Sequence, residues 1–456
     1  MNDLENGSVV YSTGGYAREM RMVSYISKVN YNYDNKYYLG GSFRRDGSSK
    51  LPSGDRWGNF WSVSGAWRVT GENFMKNISN IITDLKLRAS YGVNATLPSS
   101  YYGYMSLTSF GNDYNNMPGT LESQLGNYNL TWESNYNTNV GIDLSLYNRI
   151  NISAEWYQRR TKDLLIDKPI SLSTGFSTIL KNEGEMLNRG IEIDIRSTNI
   201  QKKDFNWTTA LNLSHNKNEI VRLDGVQQQI PKGNQILKVG YPYYTFYLRE
   251  YVGINPKNGK PQFYTNNVDA NGNLVKEITE DPNQANPVVG KSIYPKVTGG
   301  LSNNINYKFI DFGLTFTYSL GGYSYDNGAQ KLEHGGSEPD ANIPIYYRDR
   351  WKKENDIAKY ERFIIDNPIG MSDWSSTRRI HSTDHLRLKN ITLGASLPSR
   401  WANAIKMTKA RVFFSATNLF TWSAYDDYDP EVPENGYVYF ELPPLKTLTF
   451  GIELNF

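Results

Sequence analysis

Four groups of residues in this sequence have the types and spacing for chemistry. Asp269 to Asn273, reading DANGN, sets oxygen-bearing side chains at alternate positions as calcium loops do, but lacks the later bidentate glutamate. A plain Asx/Gly turn is the expectation there, with a calcium site as the alternative. Carboxylate pairs such as Glu192 and Asp194 have the composition of a general acid/base couple, yet they fall on every second residue of an alternating stretch, which makes them water-facing side chains. The tyrosines Tyr101, Tyr102, Tyr104, Tyr243, Tyr244, Tyr346 and Tyr347 sit in irregular segments. Such rings stack on sugars, pack against a partner or pack on one another, and self-packing is the expectation for any single one. Finally, Lys86, Arg88, Arg196 and Arg387 fall at inward-facing strand positions, where they would meet either a polar solute or plug, or water in a lumen.

No catalytic, cofactor-binding or metal-binding residue emerges, and the substrate-binding residues are not identified by pattern. The chain has no Cys, so disulfides and thiolate metal sites are excluded, and its four His (215, 334, 381 and 385) form no HxxH or HExxH motif. The protein is not expected to be an enzyme or to need a cofactor. A net charge of +3 is too small over 456 residues to suggest a nucleic-acid partner.

The elements that must position these residues are strands. The chain ends in TLTFGIELNF, where Leu448, Phe450, Ile452, Leu454 and Phe456 share one parity and Thr449, Gly451, Glu453 and Asn455 the other. A period of two means a β-strand, and one apolar face with one small or polar face suits a strand between lipid and water. The pattern returns along the chain. Val23, Tyr25, Val29, Tyr31 and Tyr33 oppose Ser24, Lys28, Asn30 and Asn32. Leu85, Leu87, Ala89 and Tyr91 oppose Lys86, Arg88, Ser90 and Gly92. Ile191, Ile193 and Ile195 oppose Glu192, Asp194 and Arg196. Phe205 and Trp207, just after a short turn, fit an interfacial aromatic girdle.

About thirteen such strands can be counted, and their connections alternate in length. Turns near 34, 148, 200 and 309 are short, and those near 76 and 402 are short helical caps. The other connections are longer, chiefly from about 216 to 296 and 322 to 384. Mean hydropathy is −0.59, so no helix of membrane length is expected, whereas a β-barrel tolerates low hydropathy because only every second residue meets lipid. The fold class expected is all-β: a transmembrane antiparallel barrel with long extracellular loops and short periplasmic turns. An odd strand count beginning outside the cell leaves edge strands with unpaired backbone groups. Residues 1–456 are therefore expected to be the C-terminal part of a larger barrel, unable to insert stably alone, with residues 1 to 19 a loop.

Several segments then resemble the C-terminal barrel of the SusC/RagA family of TonB-dependent outer-membrane transporters. They are RRDGSSKL from Arg44, RWGNFWSVSGAWRV from Arg56, ENFMKNISNIITDLKLRASYGVN from Glu72, NRGIEIDI from Asn188 and FNWTTALNLSHNKNEIV from Phe205. YVGINPKNGKPQFY from Tyr251, PKVTGGLSNNINYK from Pro295, DRW from Asp349, HLRLKNITLGASLP from His385, NLFTW from Asn418 and DPE at Asp429 to Glu431 continue the series. The resemblance covers essentially the whole chain. Asn255 stands where the family more often has Asp. The family's barrel is 22-stranded, so the resemblance implies about nine strands upstream, along with a signal peptide, a plug and the segment that contacts TonB, none of which these residues contain.

What the resemblance implies is nutrient uptake: the barrel wall and outer loops of a TonB-dependent importer of oligosaccharides or peptides in the outer membrane of a Gram-negative bacterium. Its expected partners are a SusD-like surface lipoprotein, TonB through the missing N-terminal part, outer-membrane lipid and the substrate. The alternative is a passive porin-like or adhesive β-protein of the outer membrane.

Overall fold

The structure is a computed structural model that describes residues 17–456 apart from 112–114, 116, 118, 225–227, 339, 366–373 and 405, with residue 399 described by its backbone alone. Most of the expected loop over residues 1 to 19 lies outside the described residues.

Thirteen strands form one antiparallel sheet in which each is hydrogen-bonded to its neighbours in chain order. They are β1 (Met22–Tyr33), β2 (Tyr37–Ser48), β3 (Trp57–Arg68), β4 (Ile82–Thr96), β5 (Glu133–Leu146), β6 (Ile150–Lys162), β7 (Glu185–Lys202), β8 (Phe205–Arg222), β9 (Val297–Tyr307), β10 (Ile310–Leu320), β11 (His385–Ser396), β12 (Lys409–Ser423) and β13 (Thr447–Asn455). Among the described residues no helix is long and apolar enough to cross a membrane.

The short connections have the geometry their residues dictate. Asp34 and Asn35 (φ 53° and 52°) and Tyr147 and Asn148 (φ 52° and 55°) are left-handed at both central positions. That is the type I′ hairpin turn, whose twist matches the strands it joins. The expected helical caps are 3₁₀ segments at Val69–Gly71 and Asn73–Ile78 and an α-helix at Ser399–Ala404.

The long connections depart from expectation in two ways. The insertion expected from Asn216 begins later, because β8 continues to Arg222. There Ile220 exchanges backbone hydrogen bonds with Gly240 and Tyr241, and the Asn218 side chain accepts from the Tyr243 amide at 2.7 Å. Among the described residues the insertion is also built of its own small sheets, of four, three and two strands, rather than open loop. The connection after β2 is only residues 49–56.

Register fixes the two faces. Opposite one another across β8 to β13 stand Leu211, Leu301 and Phe316, then Leu388 and Phe420, and further along Phe414 and Phe450. Much of this apolar parity is open to its surroundings, with Phe450 79% and Ile452 71% exposed, while Leu388 beside the bulge is buried. A sheet in water would bury such a stripe. The ladder between β11 and β12 skips Lys389 on one strand and Asn418 and Leu419 on the other, a bulge at which Asn418 takes φ 53°.

The opposite parity carries charge, held by an unusual device. Arg411 on β12 forms two hydrogen bonds with Asp311 on β10, at 2.9 and 2.5 Å, although β11 lies between them. The residue crossed is Gly394, where a Cβ would stand 2.5 Å from both Arg411 Nη2 and Asp311 Oδ1. Arg88 on β4 likewise crosses Gly141 of β5 to pair with Glu155 on β6, and touches Asp143 at 3.4 Å on the way. Only a residue without a side chain leaves room for a guanidinium to lie flat on the intervening strand.

The chain divides into two compact units. In one (Met1–Ala66, Ala89–Thr138, Arg159–Met186), Leu51, Phe60, Tyr104, Leu130 and Trp132 form a core, with Trp132 edge-on to Phe60 at 5.3 Å. The hairpin Leu165–Pro169/Thr178–Asn182 lies in this unit, as does Glu183, a buried carboxylate held by Lys168 at 2.6 Å. In the other (Trp67–Arg88, Asn139–Gln158, Leu187–Phe456), the core of the long connections is Phe246, Leu248, Ile293 and Tyr325.

Candidate functional site

The densest chemistry lies in the long connections of the second unit. Glu333 follows the short helix Asn327–Leu332, Glu361 lies in the irregular stretch before residue 366, and Arg378 and Arg379 occupy a 3₁₀ turn. Arg378 reaches Glu361 at 2.7 Å and Glu333 at 3.1 Å, and Arg379 also pairs with Glu333. Glu361 is wholly buried, and the guanidinium compensates its charge there. The Arg378 head also lies 5.4 Å over the Tyr251 ring and 5.2 Å over the Tyr360 ring. Burial removes water from Arg378, but Glu361, Tyr251 and Glu333 together outweigh that loss and hold it above its ordinary value.

Burial, reinforced by Glu361 and Glu333, pushes the Tyr251 hydroxyl from 10.0 up to about 12. A raised phenol stabilises the folded form at pH values where the unfolded chain still keeps its proton, and that contribution is lost as pH rises from 10 to about 12. Amide exchange around Tyr251 should therefore accelerate over that window, and a Tyr251→Phe variant should show a smaller acceleration.

Next to this cluster, the Tyr425 hydroxyl meets buried Asp326 at 2.5 Å, and the Tyr425 ring stacks flat on His381 at 3.8 Å. Burial holds the imidazole below the ordinary histidine range. Asp326 also caps the helix it precedes, accepting from the Ala329 amide at 2.6 Å.

The DPE motif is an anchor. Arg387 on β11, 1% exposed, binds both oxygens of Asp429 at 2.7 and 2.6 Å and reaches Glu431 at 3.5 Å. Lys389, freed from the ladder by the bulge, approaches Glu431 at 3.4 Å. The far end of the same loop is tied by Gln235 Nε2 donating to Asn435 O at 2.8 Å and by the Tyr325 amide donating to Gly436 O at 2.8 Å. Residues 430–434 are thus pinned at both ends.

The other expected residues separate by role. Arg196 pairs with its own-strand Asp194 at 3.1 Å, an exposed contact of little energetic weight. Glu192 is likewise exposed, and Lys86 is half-buried on the charged parity of β4. The tyrosines pack on one another: Tyr243 on Tyr244 at 4.8 Å, Tyr346 and Tyr347 on Tyr360 at 5.4 and 5.2 Å, Tyr104 on Tyr128 at 6.2 Å and Tyr101 on Tyr102 at 6.4 Å. Asp269 accepts from the amides of Asn271 and Asn273 at 2.9 and 2.8 Å, a plain Asx turn. Asn255 donates to Glu280 at 2.5 Å, beside Asn258 at 2.9 Å. An aspartate at 255 would set two carboxylates against each other.

These features can be set beside known proteins. The family model described as TonB dependent receptor-like, beta-barrel matches residues 5–356. TonB-dependent receptor P3 of Formosa agariphila is 30% identical over 486 residues, covering 100% of this chain and 47% of its own. TonB-dependent receptor SusC of Bacteroides thetaiotaomicron is 31% identical over 472 residues, covering 97% and 44%. The chain belongs to the SusC/RagA family of TonB-dependent receptors. A solved structure of the RagAB peptide transporter aligns with 99% of this SusC/RagA chain and 49% of its own at 29% identity, with a TM-score of 0.85. The chain thus spans about half the length of the relatives it matches. Proteins of the SusC/RagA family are transport proteins of the Gram-negative outer membrane rather than enzymes, and the outer membrane is where this chain resides.

Proposed function

We propose that residues 1–456 form the C-terminal part of a transmembrane barrel, supplying thirteen of about 22 strands in a TonB-dependent importer of oligosaccharides or peptides. The observation that carries this reading is the division of the sheet into an exposed apolar parity and an ion-paired parity, on a chain that matches RagAB along nearly its whole length. The long connections lie outside the cell and the short turns in the periplasm, and a SusD-like lipoprotein closes over the outer connections.

Nitroxide labels test the wall. Labels at Leu144, Ile193, Leu314 and Ile452 should be protected from aqueous relaxation agents and open to apolar ones, with the reverse at Asp143, Glu192, Thr315 and Glu453. Equal accessibility at the two parities would overturn the barrel. Protease added to intact cells expressing the full-length protein should cut first within 216–296 or 322–384. Cleavage confined to the turns near Asn35 and Asn148 would invert the topology. Uptake that persists without TonB would favour a passive pore.

A further inference from the structure

Two cavities flank the pinned DPE loop, sharing Pro430 between them. The larger, about 550 Å³, is lined by Tyr244, Tyr294, Thr317, His385, Glu431 and Glu434 among others; the smaller, about 310 Å³, by Tyr428, Asp426, Asp427 and Glu441. The volumes suit short segments of a ligand. Thr317 and His385 stand on the charged parity of β10 and β11, the side that a solute inside the wall would meet.

Among the described residues no lysine or arginine lines either cavity, although the chain as a whole carries a net charge of +3. Their sign is therefore local. Glu431 is already engaged by Arg387 and Lys389, but Glu434, between the two anchors of the loop, has no ion pair among the described residues. Thr317 Oγ1, buried at the cavity wall, has no hydrogen-bond partner among the described residues. Burial, with the Tyr244, Tyr243 and Glu434 fields adding to it, pushes the Tyr294 hydroxyl up to about 12, so the ring beside Glu434 stays neutral.

From this geometry we propose that the larger cavity binds a protonated primary amine, with Glu434 as its counter-ion and the tyrosine faces around it. The inference rests on the transport reading and narrows it from sugar or peptide to an amine-bearing ligand such as a short basic peptide. A carboxylate accepts and never donates, whereas an ammonium brings a charge and three donors. Tyrosine rings attract cations through their faces. Among the described residues no asparagine or glutamine lines either cavity, and the hydroxyls of Thr298, Ser319 and Thr383 that line the larger one can accept from an ammonium. The pinned loop also holds Glu434 without ordering it at the moment of binding, which lowers the entropic cost.

The test uses the full-length transporter in detergent and the tetrapeptide Lys-Ala-Lys-Ala with a C-terminal fluorophore, free or with its amines acetylated. Fluorescence anisotropy should report about tenfold tighter binding of the free-amine form at low salt. Glu434→Gln should erase that preference and Glu434→Asp should keep most of it, with heat-modifiable mobility on gels checking that each variant is folded. Equal binding of the two peptides, or an undiminished preference in folded Glu434→Gln, would overturn the proposal. TonB-dependent uptake is read separately in cells: a transporter that still imports through TonB while failing the amine comparison loses only this site, whereas TonB-independent uptake removes the transport reading itself.

Discussion

Replacing Arg378 with methionine should open the outer connections while leaving the thirteen-stranded sheet folded. The guanidinium is the partner of Glu361, which is wholly buried, and it shares Glu333 with Arg379. Without it Glu361 loses its ion pair inside a tyrosine-walled pocket, and breaking a buried pair from one side costs about 3–5 kcal/mol. Methionine restores part of the packed volume over the Tyr251 and Tyr360 rings, so the loss is mainly electrostatic. Limited proteolysis should show new cleavage between Glu333 and Arg379, with heat-modifiable mobility unchanged. Adding Glu361→Gln to Arg378→Met should recover most of the resistance, because the residue left behind is neutral. A double variant as sensitive as the single one would mean that Arg378 acts through shape rather than charge.

The second large effect is expected at Gly190 on β7. Tyr157 of β6 crosses this residue to donate to Asn216 of β8 at 3.1 Å, and a Cβ at 190 would stand 2.1 Å from the His215 carbonyl oxygen and 2.6 Å from the Tyr157 hydroxyl. The tyrosine can swing away, but the carbonyl belongs to the strand backbone and cannot. Gly190→Val should therefore force β7 and β8 apart and lose the Tyr157 hydrogen bond as well. An overpacking cost of about 1–3 kcal/mol plus about 1 kcal/mol for the bond is expected, read as a lower urea midpoint for unfolding from detergent. Gly41→Val is the control, since a Cβ there meets nothing within 4 Å. Equal midpoints for the two variants would refute the close-approach argument.

The wall was legible in the sequence because alternation is a local signal. Ile191, Ile193 and Ile195 against Glu192, Asp194 and Arg196 declare a strand and its two faces without reference to any partner. The inward direction of Arg88 and Arg387 could be read in the same way. Their partners could not: Arg387 is 42 residues from Asp429 in sequence, and Arg88 is 67 from Glu155. The bulge that frees Lys389 does leave a trace in HLRLKNITL, where the apolar parity switches from Leu386 and Leu388 to Ile391 and Leu393, but the residue that leaves the ladder is set only by the pairing with β12. Trp207 was read as an interfacial aromatic, but its indole also donates to Asn303 at 3.0 Å on the same face, where Thr209 donates at 2.7 Å. That polar patch on an apolar parity has no signature in either strand alone. Least legible were the long connections, whose strands are two to five residues long and take their stability from non-local contacts such as those of Arg378.

The arginines that lie across glycine have a consequence for assembly. A hairpin of alternating residues can form one position out of step, and such a slip turns every side chain to the wrong face. If β11 slipped by one residue, Leu393 or Ala395 would occupy the place of Gly394, and Arg411 could no longer lie flat to reach Asp311. On β5, Val140 or Ile142 would likewise obstruct Arg88 on its way to Glu155. Each bridge spans three strands and closes only when both pairings are in step, so it acts as a proofreading contact on strand addition.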